Sequence, residues 1–540
     1  MNSGTDSIWR LGEAVRAGSS WCRSLEKTES QAALPRGRKA RLLSATILSG
    51  ILLGLLGACT DSNSLDVPPI TPLPPPPQFL PVSEPQIMAP PAINEPFLIS
   101  TTFDFAAQGY QAEEFFLSGT ANAFSNLNEL QSDGRWEAEP AETADYVTRV
   151  IVYRPVDASE FSGTVVVEWL NVTQGFDVPV GWGAGHVEAL RRGHAWVNVT
   201  AQRVGIEGLE DASLPFFLQA VDPERYADLS HPGDSFSYDI FTQVTAAIRG
   251  DDNIIGGFQA EVLIATGESQ SASRLLTYVN AVQPLYNAYD AILVDSRFDS
   301  AQPLAQEPQI EIPAPDAVLF RDDLTTPVLN LQAETDVIPL GSVDERQPDS
   351  DFFRLWEMAG AAHNDNYQLN LGRDDVGVGA EKALVVENSL IFGLFACDRP
   401  INSGPYPWLY MRALNALEGW VRDGVAAPNA ERLEVADDSM SYLFDAQGNV
   451  LGGIRTPYVD APAARISGEL NTGGAGCRLS GTTELFDAAT MATLYVDRDG
   501  YIAAVADATD GAVSAGFLLD EDAVRIKEAA GLQWDALSAE

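Results

Sequence analysis

Short apolar, β-branched runs recur along the middle of the chain, separated by stretches with helical periodicity. Residues 146–153 alternate apolar and polar positions and predict a strand with one buried face. Residues 164–170 form a near-continuous apolar run and predict a fully buried strand. Further strands are expected at 195–200, 261–266, 291–295, 327–332 and 353–358. A helical stretch at about 182–192, closed by Gly193, separates the second strand from the third. Tyr410, Leu414, Leu417 and Val421 fall at i, i+4, i+7 and i+11 and mark a later helix that Gly424 can stop. Another helix is expected around 521–530; the rest of 425–540, taken as a C-terminal extension, has no pattern that places it. Strands alternating with helices predict an α/β fold with a mostly parallel sheet and helices on both faces. Ligands of such sheets bind beyond the carboxyl ends of the strands, so chemistry is sought just after each strand.

The first hundred residues follow a different pattern. Arg36, Arg38, Lys39 and Arg41 precede an apolar run from residue 42 to residue 58 that ends in Leu56-Gly57-Ala58-Cys59. A basic region, a short apolar stretch and small residues before a cleavage point describe a secretory signal over 1–58. The cysteine directly after them resembles a bacterial lipobox, which implies Cys59 as the lipidated first residue of the mature chain. A single transmembrane anchor is the alternative, 17 residues being the lower limit for spanning. Thr60 in place of Asp after the cysteine implies no inner-membrane retention. The expected location is the cell envelope, periplasmic or outer-membrane associated, with membrane contact only through the lipid. Residues 61–96 hold 12 of the 33 prolines, so 59–97 is expected to be an extended linker between anchor and body.

Charge narrows the partners. The 540 residues carry 33 Lys+Arg against 76 Asp+Glu, a formal charge of −43, and the first 58 residues are net basic, so the body is more acidic still. Nucleic-acid affinity comes mostly from cations that neutralise phosphates, which excludes that class of partner. Outside the cytoplasm disulfides are permitted. With Cys22 in the signal and Cys59 at the lipidation site, Cys397 and Cys477 remain as a possible pair, otherwise as two free buried thiols. Closing that loop would stabilise the fold by about 4 kcal/mol in the chain-entropy picture.

The expected strand 261–266 runs into Gly267-Glu268-Ser269-Gln270-Ser271-Ala272 and then a helical stretch over 273–278. Strand, tight turn and helix with serine at the apex resemble the nucleophile elbow G-x-S-x-G of the α/β-hydrolases. Residues two before and two after the serine must be small, and here they are Gly267 and Ser271. Gly233-Asp234-Ser235-Phe236-Ser237 has the same spacing, but no strand precedes it; it is assigned to a helix start with Ser235 as cap. Of the four histidines, His363 follows the last expected sheet strand in Gly360-Ala-Ala-His363, where small residues let a loop fold back over the serine. His186, His194 and His231 lie in a helix, a strand start and a turn. The acid is expected just after strand 327–332, where Glu334 and Asp336 compete; the spacing to Pro339 favours Asp336, with Glu334 as the alternative. Oxyanion donors are expected from the backbone of Gln270 and of Asn171 or Val172. Residues 297–326, polar and proline-bearing, are either a lid over the site or a surface excursion. No Cys/His cluster has metal-ligand spacing and no P-loop is present, so no metal or cofactor is expected.

Together with Glu168-Trp-Leu-Asn171, Ala201-Gln-Arg-Val-Gly205, Tyr238-Asp-Ile-Phe241 and Gly452-Gly-Ile-Arg-Thr-Pro-Tyr-Val459, these motifs resemble a family of large bacterial α/β-hydrolase-domain proteins over roughly residues 100–535. The resemblance implies a hydrolase fold over the body, 98–540, with Ser269, an acid and His363 in the site. The expected activity is hydrolysis of small-molecule or lipid-like carboxylic esters. An amidase, peptidase or acyltransferase on the same residues, or a non-catalytic ligand-binding lipoprotein, are the alternatives, because one fold hosts many functions.

Overall fold

The apolar runs of the middle segment line up in one nine-stranded sheet. The strands are β1 (Gln86–Met88), β2 (Tyr110–Asn126), β3 (Ala138–Pro155), β4 (Thr164–Trp169), β5 (Ala195–Val199), β6 (Val262–Glu268), β7 (Ala291–Asp295), β8 (Val328–Ala333) and β9 (Phe353–Met358). The computed structural model describes residues 78–209, 214–437, 440–474 and 476–539. By its contacts the chain divides into Met1–Pro75 and Pro76–Glu540, and the whole sheet belongs to the second unit. The expected signal at 1–58, Cys59 and the linker up to residue 77 lie outside the described residues. Among the described residues, no helix is long and apolar enough to cross a membrane.

The strand order is β1-β2-β3-β5-β4-β6-β7-β8-β9. β1, β2, β3 and β5 pair antiparallel, and β5 through β9 run parallel. Parallel strands covered on both faces are apolar at most positions, which is why they are legible as near-continuous runs. Alternate residues then divide between two cores. Val165, Val167, Leu263, Ala265, Ile292 and Val294 face one side, under the helices α2 (Ser237–Arg249) and α3 (Gln270–Thr277). Val166, Ile264, Leu293, Leu329 and Leu331 face the other, under α1 (Val180–Arg192) and α4 (Tyr406–Asp423). Gly193 and Gly424 close α1 and α4 at φ +72° and +67°, left-handed positions that favour glycine.

Three expectations need correction. The linker does not extend to residue 97. From residue 78 the chain packs on the body: Leu80 N–H donates to Leu285 O at 2.8 Å, β1 adds to the edge of β2, and Arg225 Nη1 donates to the carbonyls of Pro91, Ile93 and Asn94. Proline is compatible with an edge segment, where half the N–H groups have no ladder partner. Residues 297–326 are not a detached lid, although Phe298 stacks on the His363 ring. Ala301, Leu304, Val318 and Phe320 are buried in the core beneath α2 and α3, and Tyr238 Oη donates to Pro303 O at 2.7 Å, so apolar anchors hold the segment down. Ser235 is no helix cap; its hydroxyl donates to Gln306 O at 2.6 Å and fastens that same segment.

The C-terminal extension is joined to the body rather than appended. Its two long helices, α5 (Arg498–Ser514) and α6 (Asp520–Ser538), share a core with Tyr367, Trp408 and Met411. Arg525 Nη2 donates to Asp375 Oδ2 at 2.7 Å and Arg191 Nη2 to Asp522 Oδ1 at 2.6 Å, both acceptors fully buried. Cys397 and Cys477 form a disulfide that spans 80 residues.

Candidate active site

Ser269 is the single residue between the end of β6 and the start of α3. Its φ of 60° and ψ of −118° lie where a side-chain-bearing residue is strained, so the surrounding bonds must fix it. They do: Ser269 N–H donates to Asp295 O and Ser273 N–H to Ser269 O, each at 3.0 Å. A Cβ at Gly267 would stand 3.1 Å from Ser271 Cβ and 3.2 Å from Leu275 Cδ1, which explains the glycine. Ser271, where the hydrolase pattern has glycine, is fully buried and donates its hydroxyl to Leu170 O at 3.1 Å, so its extra polar atom is satisfied.

His363 reaches this serine from the loop after β9. Ala359, Ala361 and Ala362 are completely buried there, and Gly360 turns the chain at φ +79°. His363 Nε2 is 2.9 Å from Ser269 Oγ, and Nδ1 is 2.6 Å from Asp336 Oδ1. Asp336 stands in the helical turn Glu334–Val337 that directly follows β8; its Oδ2 accepts from Ala333 N–H at 2.6 Å. The Phe298 ring stacks on the imidazole with centroids 6.0 Å apart. Serine, histidine and Asp336 are thus in line at the carboxyl ends of neighbouring strands.

Glu334, the alternative acid, points away. Its Oε1 accepts from Gly360 N–H at 2.6 Å and Oε2 from Gly468 N–H at 2.8 Å, so it clamps the histidine loop to the C-terminal part. Burial outweighs those two N–H bonds and raises its carboxyl to about 7. The Asn171 backbone is also corrected as an oxyanion donor. Its N–H is bonded to Val178 O at 3.2 Å, because residues 171 and 178 close a bridge across the loop. Val172 N–H has no acceptor among the described residues, and Gln270 N–H, in the first turn of α3, has no intrahelical one. His186, His194 and His231 are buried elsewhere, each with a ring nitrogen bonded: to Asp375 O, to Ser162 Oγ and to Ala201 O.

One residue of the site was not anticipated. Glu268, just before the serine, is 3% exposed; its Oε1 lies 3.0 Å from His363 Nε2 and its Oε2 accepts from Asn171 Nδ2 at 2.9 Å. The available signal was an ionisable residue at the end of a strand expected to be buried. Burial raises the Glu268 carboxyl, with the imidazole opposing. For His363, burial works against the charged form, but Glu268 and Asp336 outweigh it and raise the imidazole to about 10. Asp295, beside Glu268 in the strand register, is pushed far up by burial and accepts from Tyr406 Oη.

Ser269, Glu268 and His363 line a cavity of about 430 Å³. Its other walls come from distant segments: Phe97 and Ile99, Phe176 and Val178, Phe216, Leu369, and the hairpin of β10 (Leu390–Ile391) and β11 (Phe395–Ala396). No residue of 297–326 lines it. The disulfide fastens that hairpin to the segment that contributes Gly476, Leu479 and Ser480. Among the described residues, no group of three or more His, Cys, Asp or Glu is arranged to hold a metal ion.

The sheet order, with a strained serine between a central parallel strand and its helix, defines the α/β-hydrolase class of fold. The chain belongs to the alpha/beta hydrolase domain family, whose model matches residues 81–528. Solved structures similar to it include an α/β serine hydrolase without a lid from Xanthomonas campestris, with 12% identity, 44% of this chain and 84% of that one covered, and a TM-score of 0.24. Acetyl xylan esterase 1 from a Thermoanaerobacterium species has 8% identity, covers 51% and 81%, and has a TM-score of 0.27. The comparison with curated proteins found no match.

Proposed function

We propose that the protein is a serine hydrolase of carboxylic esters that works through an acyl-enzyme. The observation that carries this is the unbroken Ser269–His363–Asp336 chain, at 2.9 and 2.6 Å, on a serine fixed in a strained turn at a helix N-terminus. His363 Nε2 takes the hydroxyl proton as Ser269 Oγ bonds to the ester carbon, and Asp336 holds the Nδ1–H tautomer and stabilises the imidazolium. The N–H groups of Gln270 and Val172 are the donors for the oxyanion, favoured by the positive end of α3. The imidazolium then protonates the leaving alcohol, and water, activated by the same histidine, releases the acid.

The cavity wall supports an apolar acyl or alcohol group. Phe97, Ile99, Phe176, Phe216, Ile391 and Phe395 line the cavity that holds Ser269, with Arg373 the one basic side chain besides His363 in its wall. A cell-envelope location, with a lipid on Cys59, belongs to the same proposal; a disulfide that joins two segments of the cavity wall suits an oxidising compartment.

A p-nitrophenyl ester series from acetate to octanoate tests the ester and apolar parts together. Each methylene that enters the cavity is worth about 0.8 kcal/mol, roughly fourfold in kcat/KM, until the space is filled. The expected profile rises from acetate and then levels; matched anilides turn over far more slowly. Absence of hydrolysis across the series, with anilides cleaved, would move the assignment to an amidase.

A further inference from the structure

Ester hydrolysis by Ser269, His363 and Asp336 leaves Glu268 without a role, although its carboxyl is buried at the reacting atoms. A single nitrogen, His363 Nε2, faces two oxygens: Ser269 Oγ at 2.9 Å and Glu268 Oε1 at 3.0 Å. Asn171 Nδ2 occupies Oε2, and Oε1, buried with no hydrogen-bond partner among the described residues, has His363 Nε2 at ion-pair distance. The other titratable groups packed around the pair are acidic or phenolic, and Arg373 stands in the same cavity wall. Asp336 follows β8, Asp295 ends β7, Glu168 lies on β4, and Tyr406 and Tyr410 project from α4. None of these packed groups is a Lys or Arg, so His363 is the only one of the groups that can carry positive charge against two buried carboxylates. Burying unpaired charge is costly, and the cluster holds a proton to avoid it.

We propose that Glu268 is a positioning residue that shares one proton with His363 Nε2 and so keeps the hydrolase site inactive until that proton is lost to solvent. This rests on the hydrolase proposal above. In the closed form the proton lies between Nε2 and Oε1, Nδ1–H donates to Asp336, and Ser269 has no base. Transfer of that proton to water or hydroxide leaves a neutral imidazole with a free pair on Nε2 and a carboxylate at Glu268. Ser269 O–H can then give its proton to Nε2 as Oγ bonds to the carbonyl carbon and the π pair moves to the oxyanion. The imidazolium so formed faces the Glu268 carboxylate, which stabilises it, and it passes its Nε2 proton to the leaving oxygen. The same carboxylate therefore suppresses the reaction at low pH and assists it at high pH. The pair titrates as a unit rather than as two separate residues.

The sign follows from the geometry: a charge partner that favours the imidazolium moves the onset of activity toward alkaline pH. The test is kcat/KM for p-nitrophenyl butyrate against pH, from 5 to 10.5, for the wild-type protein and Glu268→Gln. The expected wild-type midpoint lies well above the ordinary histidine range, and Glu268→Gln lowers it by roughly one unit or more, as loss of an adjacent opposite charge does. A merely structural role would lower the rate at every pH and leave the midpoint where it was. An unmoved midpoint, or a wild-type midpoint near about 6.5, overturns the proposal. If Glu268→Gln does not fold, Glu268→Asp, which keeps the charge but shortens its reach, is expected to lower the midpoint in the same direction. Normal turnover with an unmoved midpoint removes Glu268 alone; no turnover at any pH removes the hydrolase proposal beneath it.

Discussion

Ser269→Ala is expected to lower ester turnover by about 10⁴- to 10⁶-fold and to leave the thermal midpoint within a few degrees of the wild type. Among the described residues the Ser269 hydroxyl has one hydrogen-bond partner, His363 Nε2, and that nitrogen keeps Glu268 Oε1 as a neighbour once the hydroxyl is gone. The bonds that fix the turn, Ser269 N–H to Asp295 O and Ser273 N–H to Ser269 O, are backbone bonds that alanine retains. The strand, helix and cavity wall therefore stay in place while the nucleophile is lost. Steady-state kinetics and a melting curve on the same preparation check both halves. A rate within tenfold of wild type would remove Ser269 as the nucleophile.

The second large effect separates the two carboxylates that follow β8. Asp336→Asn is expected to lower kcat by about 10⁴-fold, because the amide no longer holds the imidazole in the Nδ1–H tautomer against the serine. Glu334→Gln is expected to leave far more activity, since its carboxyl contacts Gly360 and Gly468 N–H groups and not the imidazole. Its signature is instead a lower melting temperature. Gln can accept only one of the two N–H bonds with a like oxygen, and the other buried donor loses its partner, at about 1–3 kcal/mol. If Glu334→Gln abolished kcat while Asp336→Asn did not, the acid would be the wrong one of the pair.

How far the sequence carried this site depended on how local the constraint was. β4 through β9 could be read to within a residue or two at most ends, because a parallel sheet buried on both faces imposes near-continuous apolar runs. β2 could not. Its 17 residues mix Glu, Gln, Asn and Ser with Phe and Leu, and they are held by a long antiparallel pairing with β3 rather than by propensity. β3 begins well before the expected strand; residues 139–143 lie exposed at the outer end of that ladder and show no apolar alternation. Ser269, His363 and Asp336 could be singled out because each lies within a few residues of a strand's carboxyl end. The apolar cavity could not, since Phe97, Phe176, Phe216 and Ile391 come from segments far apart in the chain, and no local pattern records that they meet. Proline density in residues 78–97 read as a free linker because the edge of β2 that receives it was itself unseen. Glu268 drew no reading of its own beyond the elbow motif, because only the fold brings His363 to it.

Turnover is expected to acylate Ser269 Oγ. Incubation of the wild-type protein with a fluorophosphonate, followed by peptide mass spectrometry, reads this directly. The expected result is one covalent phosphonyl group per chain, on the peptide that contains Ser269, formed faster as pH rises and absent in Ser269→Ala. An active protein that takes up no label, or takes it up on a serine other than Ser269, would contradict it.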